Sequence, residues 1–122
     1  MAQKKILIID DDEDIIETVT ILLENEGFSI SSADNVEKGL ELIRNIKPDL
    51  VLLDIMFPEK KTRGFEAAAQ IKEIQPDLPV FAFTAINREY SFDFSKEEIQ
   101  ADEFINKPVA TDKLVKLINK YL

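Results

Sequence analysis

Four apolar segments of this chain end in side chains that can bind a cation or a phosphate. The first segment ends at Asp10 and Asp11, and the segment DLVLLD ends at Asp54. LPVFAFT ends at Thr84, and Lys107 follows DEFIN. If these segments are neighbouring parallel strands, their carboxyl ends share one edge of a sheet, where folds of this kind bind ligands. We therefore expect three carboxylates, one hydroxyl and one ammonium group to meet at that edge.

This set of side chains indicates a magnesium site beside a phosphate site. The chain contains no cysteine and no histidine, and clustered carboxylates without those ligands suit a hard cation such as Mg²⁺. The cation would offset the repulsion between the carboxylates and leave positions open for phosphate oxygens, which Thr84 and Lys107 would hold from the other side. Asp54 is then the candidate nucleophile, whose attack on phosphorus would form an aspartyl phosphate.

Strand and helix patterns alternate about five times along the chain. Short apolar runs rich in β-branched residues predict strands, and apolar residues at helical spacing predict the helices between them. The predicted strands cover residues 6–9, 28–32, 49–54, 78–84 and 102–106, and the predicted helices cover 15–26, 36–46 after a cap at Asn35, 65–74 and a last segment that Thr111 caps. The alternation predicts an α/β fold, a parallel sheet with helices on both faces.

Length and composition place further bounds on the protein. A chain of 122 residues with 45% hydrophobic and 32% charged residues predicts a single domain over residues 1–122. Its net charge of −9 speaks against nucleic acid or an anionic membrane as a direct partner. The apolar runs are too short for a membrane span, and we expect a cytoplasmic protein. Without cysteine or histidine, thiol nucleophiles, Ser-His-Asp catalysis and a phosphohistidine on this chain are excluded.

Four stretches carry a resemblance to a known family. In order, KKILIIDDDEDI, PDLVLLDIMFP, VFAFTA and ADEFINKP resemble the signature stretches of response-regulator receiver domains of two-component signal transduction. The resemblance extends from Lys5 to the C-terminus. It implies a doubly wound, flavodoxin-like fold with a five-stranded parallel sheet of strand order 2-1-3-4-5. It also implies a phosphoacceptor signalling domain that catalyses only its own phosphorylation and dephosphorylation.

The resemblance assigns the cation ligands and the phosphoacceptor. Asp54 corresponds to the residue that receives the phosphoryl group. Asp11 corresponds to the direct Mg²⁺ ligand and Asp10 to its partner, which often acts through water. The backbone carbonyl of Met56 would be the third protein ligand.

The resemblance also assigns the residues that respond to phosphorylation. Thr84 would bind a phosphate oxygen and move toward it, and Lys107 would pair with the phosphate. Phe104 stands where the family often has an aromatic residue whose rotamer changes on switching. A buried phenylalanine without a switching role would give the same sequence.

The implied partners are a sensor histidine kinase or histidine phosphotransfer protein, and a downstream effector protein or fused output domain. A homodimer is compatible with the family. Two alternatives stay open. A haloacid-dehalogenase-type phosphatase also uses an aspartate nucleophile with Mg²⁺, but it usually carries a second acid two residues later, where this chain has Met56. A pseudo-receiver would keep the fold as a binding module without being phosphorylated.

Some features belong to ordinary structure or depart from the family pattern. Asp12, Glu13 and Asp14 suit the solvated start of a helix, with one of them as its cap. The loop at 58–64 contains EKKTR and is about two residues longer than the common form of the family. The segment 86–100 lacks the apolar pattern of the helix that the family places there.

Overall fold

The computed structural model describes residues 3–54, 63–84, 101–106 and 111–122. Strands and helices alternate in these ranges as the sequence predicts. Their order is β1 (Lys5–Ile9), α1 (Glu13–Asn25), β2 (Ser29–Ala33), α2 (Val36–Ile46), β3 (Leu50–Asp54), α3 (Arg63–Ile74), β4 (Val80–Thr84), β5 (Glu103–Asn106) and α4 (Thr111–Tyr121). The predictions for segment 86–100 and for most of the 58–64 loop lie outside the described residues.

The five strands form one parallel sheet in the order β2-β1-β3-β4-β5. The predicted α/β fold and strand order are therefore confirmed. Ile9 is opposite Leu53 in the pairing of β1 with β3, and Asp54 is opposite Phe83 in the pairing of β3 with β4. Thr84 is opposite Asn106 at the end of β5. The carboxyl ends of these strands consequently lie at one edge of the sheet.

Helices cover both faces of the sheet, which explains the uninterrupted apolar strands. Leu7 and Ile9 of β1 belong to one buried cluster with residues of α2 and α3, whereas Ile6 and Ile8 belong to a second cluster with residues of α1 and α4. All five residues of β3 are buried. A strand buried on both faces has no polar alternation, as is typical of parallel sheets. None of the four described helices is long and apolar enough to cross a membrane.

The helix boundaries follow local side-chain chemistry. The Asp12 carboxylate caps α1 by accepting from the amides of Asp14 and Ile15 at 3.0 and 3.3 Å. Asn35 caps α2 by accepting from the Lys38 amide at 2.8 Å, as predicted. Helix α2 ends at Ile46, and its C-cap Lys47 has a left-handed backbone (φ 49°), which is unfavourable for a residue with a Cβ atom.

Gly39 allows α2 to lie very close to β1. A Cβ atom at this position would be 2.8 Å from Ile9 Cγ1 and still closer to Ile9 Cδ1. Real side chains do not approach so closely, so a larger residue would require the buried Ile9 side chain or the helix to shift. Because Ile9 immediately precedes Asp10, this contact also affects the strand end that carries the predicted site.

Candidate functional site

Three of the predicted site residues come together at the carboxyl edge of the sheet. Asp10, Asp11 and Asp54 each offer a carboxylate oxygen, and these oxygens all lie within 4.8 Å of one another. Asp10 and Asp54 are only 2% and 4% exposed, whereas Asp11 is exposed. The structure thus places two acids in the protein interior and a third beside them at the surface.

The strands and their hydrogen bonds hold these acids in place. Asp54 is the last residue of β3, and Asp10 follows the last residue of β1. The Asp10 amide donates to the Ala33 carbonyl at 3.1 Å, which continues the pairing with β2 beyond the strand end. The Asp12 amide donates to Asp10 Oδ1 at 2.9 Å and fixes that side chain. Asp10 is therefore held through both its backbone and its carboxylate.

The chemistry of this cluster fits a hard divalent cation. Negative charges this close repel one another, and burial reduces the screening that water would provide. Mg²⁺ binds oxygen ligands at roughly 2.1 Å, so opposite ligands of its octahedron are about 4.2 Å apart. The 4.8 Å spread of the carboxylate oxygens is close to that value. Small shifts of the exposed Asp11, or a bridging water, would complete the geometry.

The acids that follow the cluster serve a different purpose. Asp12 caps α1, and Glu13 and Asp14 lie in the first turn of that helix, where negative charge is favourable near the helix dipole. Together with Asp11 they line a cleft of about 510 Å³ beside the cluster. The cleft leaves room at the surface next to Asp11.

The other predicted site residues are described only in part. Thr84 ends β4, one position beyond the partner of Asp54, so its backbone lies at the same edge as the acids. Phe104 is in β5 opposite Ala82; its side chain is outside the described part of the structure. Met56 and Lys107 also lie outside the described residues. The roles assigned to these four residues stay predictions.

A second polar cluster, which the sequence analysis missed, lies at the opposite edge of the sheet. Lys72 Nζ is 2.8 Å from Asp102 Oδ2 and 2.7 Å from the Leu78 carbonyl oxygen. The Val80 amide donates to the same Asp102 oxygen at 2.8 Å. Lys72 and Asp102 are 30 positions apart in the chain, and no local pattern links them. The packing of α3 beside β4 and the pairing of β4 with β5 bring them together.

Tyr121, at the end of α4, extends this second cluster. Its hydroxyl is 2.9 Å from Glu103 Oε1, to which it donates, and 3.4 Å from the Asp102 carbonyl oxygen. Its ring packs edge-on against Phe81, with 5.1 Å between the ring centroids. Partial burial, the hydrogen bond to Glu103 and the charges of Glu103 and Asp102 raise the pKa of Tyr121 above its ordinary value.

Comparison with known proteins agrees with this architecture. Residues 6–119 match the family model of the response regulator receiver domain. The phosphate regulon transcriptional regulatory protein PhoB of Pseudomonas aeruginosa is 37% identical over 117 residues, which cover 94% of this chain and 50% of PhoB. PhoP of Bacillus subtilis, an alkaline phosphatase synthesis regulator, is 33% identical over 86% of this chain and 42% of its own length. The chain thus spans about half the length of these transcriptional regulators.

Solved structures show the same similarity. The response regulator TrrA of Thermotoga maritima, in complex with Mg²⁺ and beryllium fluoride, is 33% identical with a TM-score of 0.83, over 98% of this chain and all of that one. A CheY-like receiver domain of Methanospirillum hungatei is 30% identical with a TM-score of 0.85, over 98% and 93% of the two chains. Sequence and fold agree in these comparisons, and the chain belongs to the response-regulator receiver domain family.

Proposed function

We propose that this chain accepts a phosphoryl group on Asp54, with Mg²⁺ bound beside it, and thereby switches a signalling surface. The observation that carries the proposal is the cluster of Asp10, Asp11 and Asp54, whose oxygens lie within 4.8 Å although two of the three side chains are buried. Burying like charges together is unfavourable unless hydrogen bonds and positive charge compensate them, and a bound cation would supply such a charge. The phosphoryl donor is a sensor histidine kinase or a histidine phosphotransfer protein.

Asp54 acts as the nucleophile in this reaction. One of its carboxylate oxygens forms a bond to phosphorus while the bond from phosphorus to the donor histidine nitrogen breaks, and the electron pair of that bond stays on the imidazole. Asp10, Asp11, Asp54 and the Met56 carbonyl would hold Mg²⁺, which would neutralise charge on the phosphoryl oxygens. Phosphoryl transfer asks little of a protein beyond positioning and electrostatics, and rigid strand ends supply the positioning here.

Thr84 and Lys107 hold the phosphoryl oxygens from the other side of Asp54. The Thr84 backbone lies next to the partner of Asp54 in the sheet, which supports a hydroxyl within reach of the phosphate. Lys107 supplies a positive charge after Asn106. The new charge on Asp54 then draws Thr84 toward it, and Phe104 follows by changing its rotamer. Charge at the sheet edge is thereby converted into a change of surface near β4, β5 and α4.

The signal passes to an effector protein or to an output domain fused to the same chain. The transcriptional regulators PhoB and PhoP, which are about twice as long as this chain, support a fused output domain, and a homodimer fits the same scheme. We propose that residues 1–122 form one receiver domain that works in the cytoplasm and acts catalytically only on itself. Nucleic acid and membranes are not direct partners of this acidic domain.

The two alternative functions are less well supported. The receiver family match speaks against a haloacid-dehalogenase-type phosphatase, as does Met56 at the position of that enzyme's second acid. A pseudo-receiver binding module would have no need of a buried acid pair at the strand ends. TrrA, a relative that was solved with Mg²⁺ and a phosphoryl mimic, supports the phosphorylated form.

Small-molecule phosphoryl donors provide the direct test. The protein is incubated with acetyl phosphate or phosphoramidate and Mg²⁺, and its intact mass is measured. We expect one phosphoryl adduct in the wild type, none in Asp54→Asn and none in the presence of EDTA. Asp77→Asn, the same charge change at an exposed turn, is the matched control and keeps the adduct. An adduct that persists in Asp54→Asn, or its absence from the wild type, would refute the mechanism.

A further inference from the structure

We propose that Lys72 is a positioning residue for the phosphoryl group on Asp54: through Asp102 it fixes the register of β5 against β4, and that register places the carboxyl end of β5 beside Thr84. The proposal rests on the function proposed above. It assigns a task to a cluster at the sheet edge opposite the acids, where none of the predicted site residues lies.

The pairing of Lys72 with Asp102 is tighter and better shielded than a surface ion pair. Lys72 Nζ lies 2.8 Å from Asp102 Oδ2, and the two side chains are 19% and 34% exposed. For comparison, Lys38 and Asp34 are 3.2 Å apart and 64% and 48% exposed. Lys72 also donates to the Leu78 carbonyl at 2.7 Å. Exposed pairs contribute little because water and salt screen them, whereas a shielded pair with a second hydrogen bond holds its geometry.

Asp102, held by Lys72, bonds to both backbone groups of Val80, the first residue of β4, and we call these two bonds the clamp. Its amide donates to the Val80 carbonyl at 2.7 Å, and its Oδ2 accepts from the Val80 amide at 2.8 Å. One residue thus satisfies both backbone groups of Val80 just before the β4–β5 ladder begins. Since a shift by one position would break both bonds, the clamp selects the observed register, from Phe81 opposite Glu103 to Thr84 opposite Asn106.

β5 depends strongly on such an anchor. It has four residues, lies at the edge of the sheet and pairs only with β4 among the described strands. From Asp102 to Asn106 the extended chain covers four steps of about 3.3 Å, or roughly 13 Å, and an extended chain cannot lengthen much along its axis. Displacing Asp102 therefore displaces Asn106 at the other edge, next to Thr84.

The cation ligands lie outside the two strands that this anchor joins. Asp10 and Asp11 follow β1, and Asp54 ends β3, so none of the three acids belongs to β4 or β5. Removing Lys72 should therefore weaken the binding of a phosphoryl group without weakening the binding of Mg²⁺. General destabilisation of the fold would not separate the two affinities.

The experiment compares Lys72→Met with Lys72→Arg and with Lys116→Met, an exposed lysine of α4 that serves as the matched control. Mg²⁺ affinity and the affinity for beryllofluoride at saturating Mg²⁺ are measured for each protein. We expect Lys72→Met to bind beryllofluoride about threefold to tenfold more weakly, the range typical of residues that act through intervening elements. Its Mg²⁺ affinity stays within about twofold of the wild type. Lys72→Arg and Lys116→Met behave like the wild type.

Asp102→Asn tests the route of the effect and covers the case in which Lys72→Met does not fold. The side chain of Asn would keep an oxygen that accepts from the Val80 backbone N–H, but it would lack the charge that holds Lys72, so we expect weaker beryllofluoride binding again. The double variant of Lys72→Met and Asp102→Asn should bind beryllofluoride no more weakly than the weaker-binding single variant. Unchanged beryllofluoride affinity in both single variants, or equal losses of Mg²⁺ and beryllofluoride affinity, would overturn the proposal. A wild type that binds no beryllofluoride would instead overturn the function proposed for Asp54.

Discussion

Asp54→Asn should stabilise the protein in the absence of divalent cations. The substitution keeps the size and shape of the side chain and removes one of the charges of the acidic cluster. Two unit charges 4.8 Å apart, the upper limit of the oxygen separations in the cluster, repel by about 3.5 kcal/mol at an effective dielectric constant of about 20. The hydrogen bonds and charges that already favour the Asp54 carboxylate reduce this gain. We expect the free energy of unfolding to rise by about 1 to 3 kcal/mol.

The same substitution should remove most of the stabilisation by Mg²⁺. A cation that binds only the folded protein raises the free energy of unfolding by about 2.7 kcal/mol at a concentration of 100 times its Kd. The wild type should show this increase. Asp54→Asn should show much less of it at the same concentration, because one of three carboxylate ligands is gone. In EDTA we expect Asp54→Asn to be the more stable protein. In Mg²⁺ we expect the wild type to be as stable as Asp54→Asn or more stable.

Urea unfolding followed by far-ultraviolet circular dichroism measures both effects, because the chain has no tryptophan to report by fluorescence. Each protein is unfolded in EDTA and in saturating Mg²⁺ near neutral pH. Asp77→Asn, which removes an exposed charge far from the cluster, corrects for the change in net charge. If Asp54→Asn is no more stable in EDTA than Asp77→Asn, repulsion within the cluster is not a significant cost and the electrostatic reasoning is wrong.

Three further predictions concern other parts of the fold, all measured by urea unfolding. Gly39→Ala should lower the free energy of unfolding by about 1 to 3 kcal/mol, although alanine has the better helix propensity, because its Cβ meets Ile9. If the losses of Gly39→Ala and Ile9→Ala simply add in the double variant, the clash is not their cause. Tyr121→Phe should cost about 1 kcal/mol by removing the hydrogen bond to Glu103. Because folding raises the pKa of Tyr121, this cost is full below about pH 10 and is lost as the pH rises through the folded-state pKa; a cost that persists at higher pH would refute the assignment. Lys47→Gly should gain up to about 1 kcal/mol by relieving the left-handed backbone, and a loss would show that the lysine side chain contributes more than the strain.

The sequence predicted the sheet and the acids because both depend on short-range patterns. Strands buried on both faces read as continuous apolar runs; β3 and β4 end in a polar residue at the sheet edge, and β1 is followed by one. Asn35 was recognised as a helix cap for the same reason, since a cap acts within three residues of itself. The family resemblance added the strand order, which the alternation of strands and helices alone does not determine.

Features that depend on distant contacts could not be predicted in this way. Lys72 and Asp102 form a pair only after β4 and β5 align, and neither residue stands in a motif. The need for glycine at position 39 comes from the distance between α2 and Ile9, which no helical pattern reports. Lys47 precedes a proline and looks like an ordinary helix end, yet its backbone is left-handed. In each case tertiary packing, rather than local preference, decides the conformation.

The position of Asp10 and Asp54 at strand ends bears on how such a domain diversifies. Their separation is set by the pairing of β1 with β3, and Asp10 is tied further to Ala33. That pairing extends from Ile6 opposite Leu50 to Ile9 opposite Leu53 and ends before the segment that follows Asp54, which the sequence predicts to be about two residues longer than the common form of the family. Mutation and selection can therefore alter the length and charge of such a segment while the placement of the acids at the strand ends is inherited unchanged.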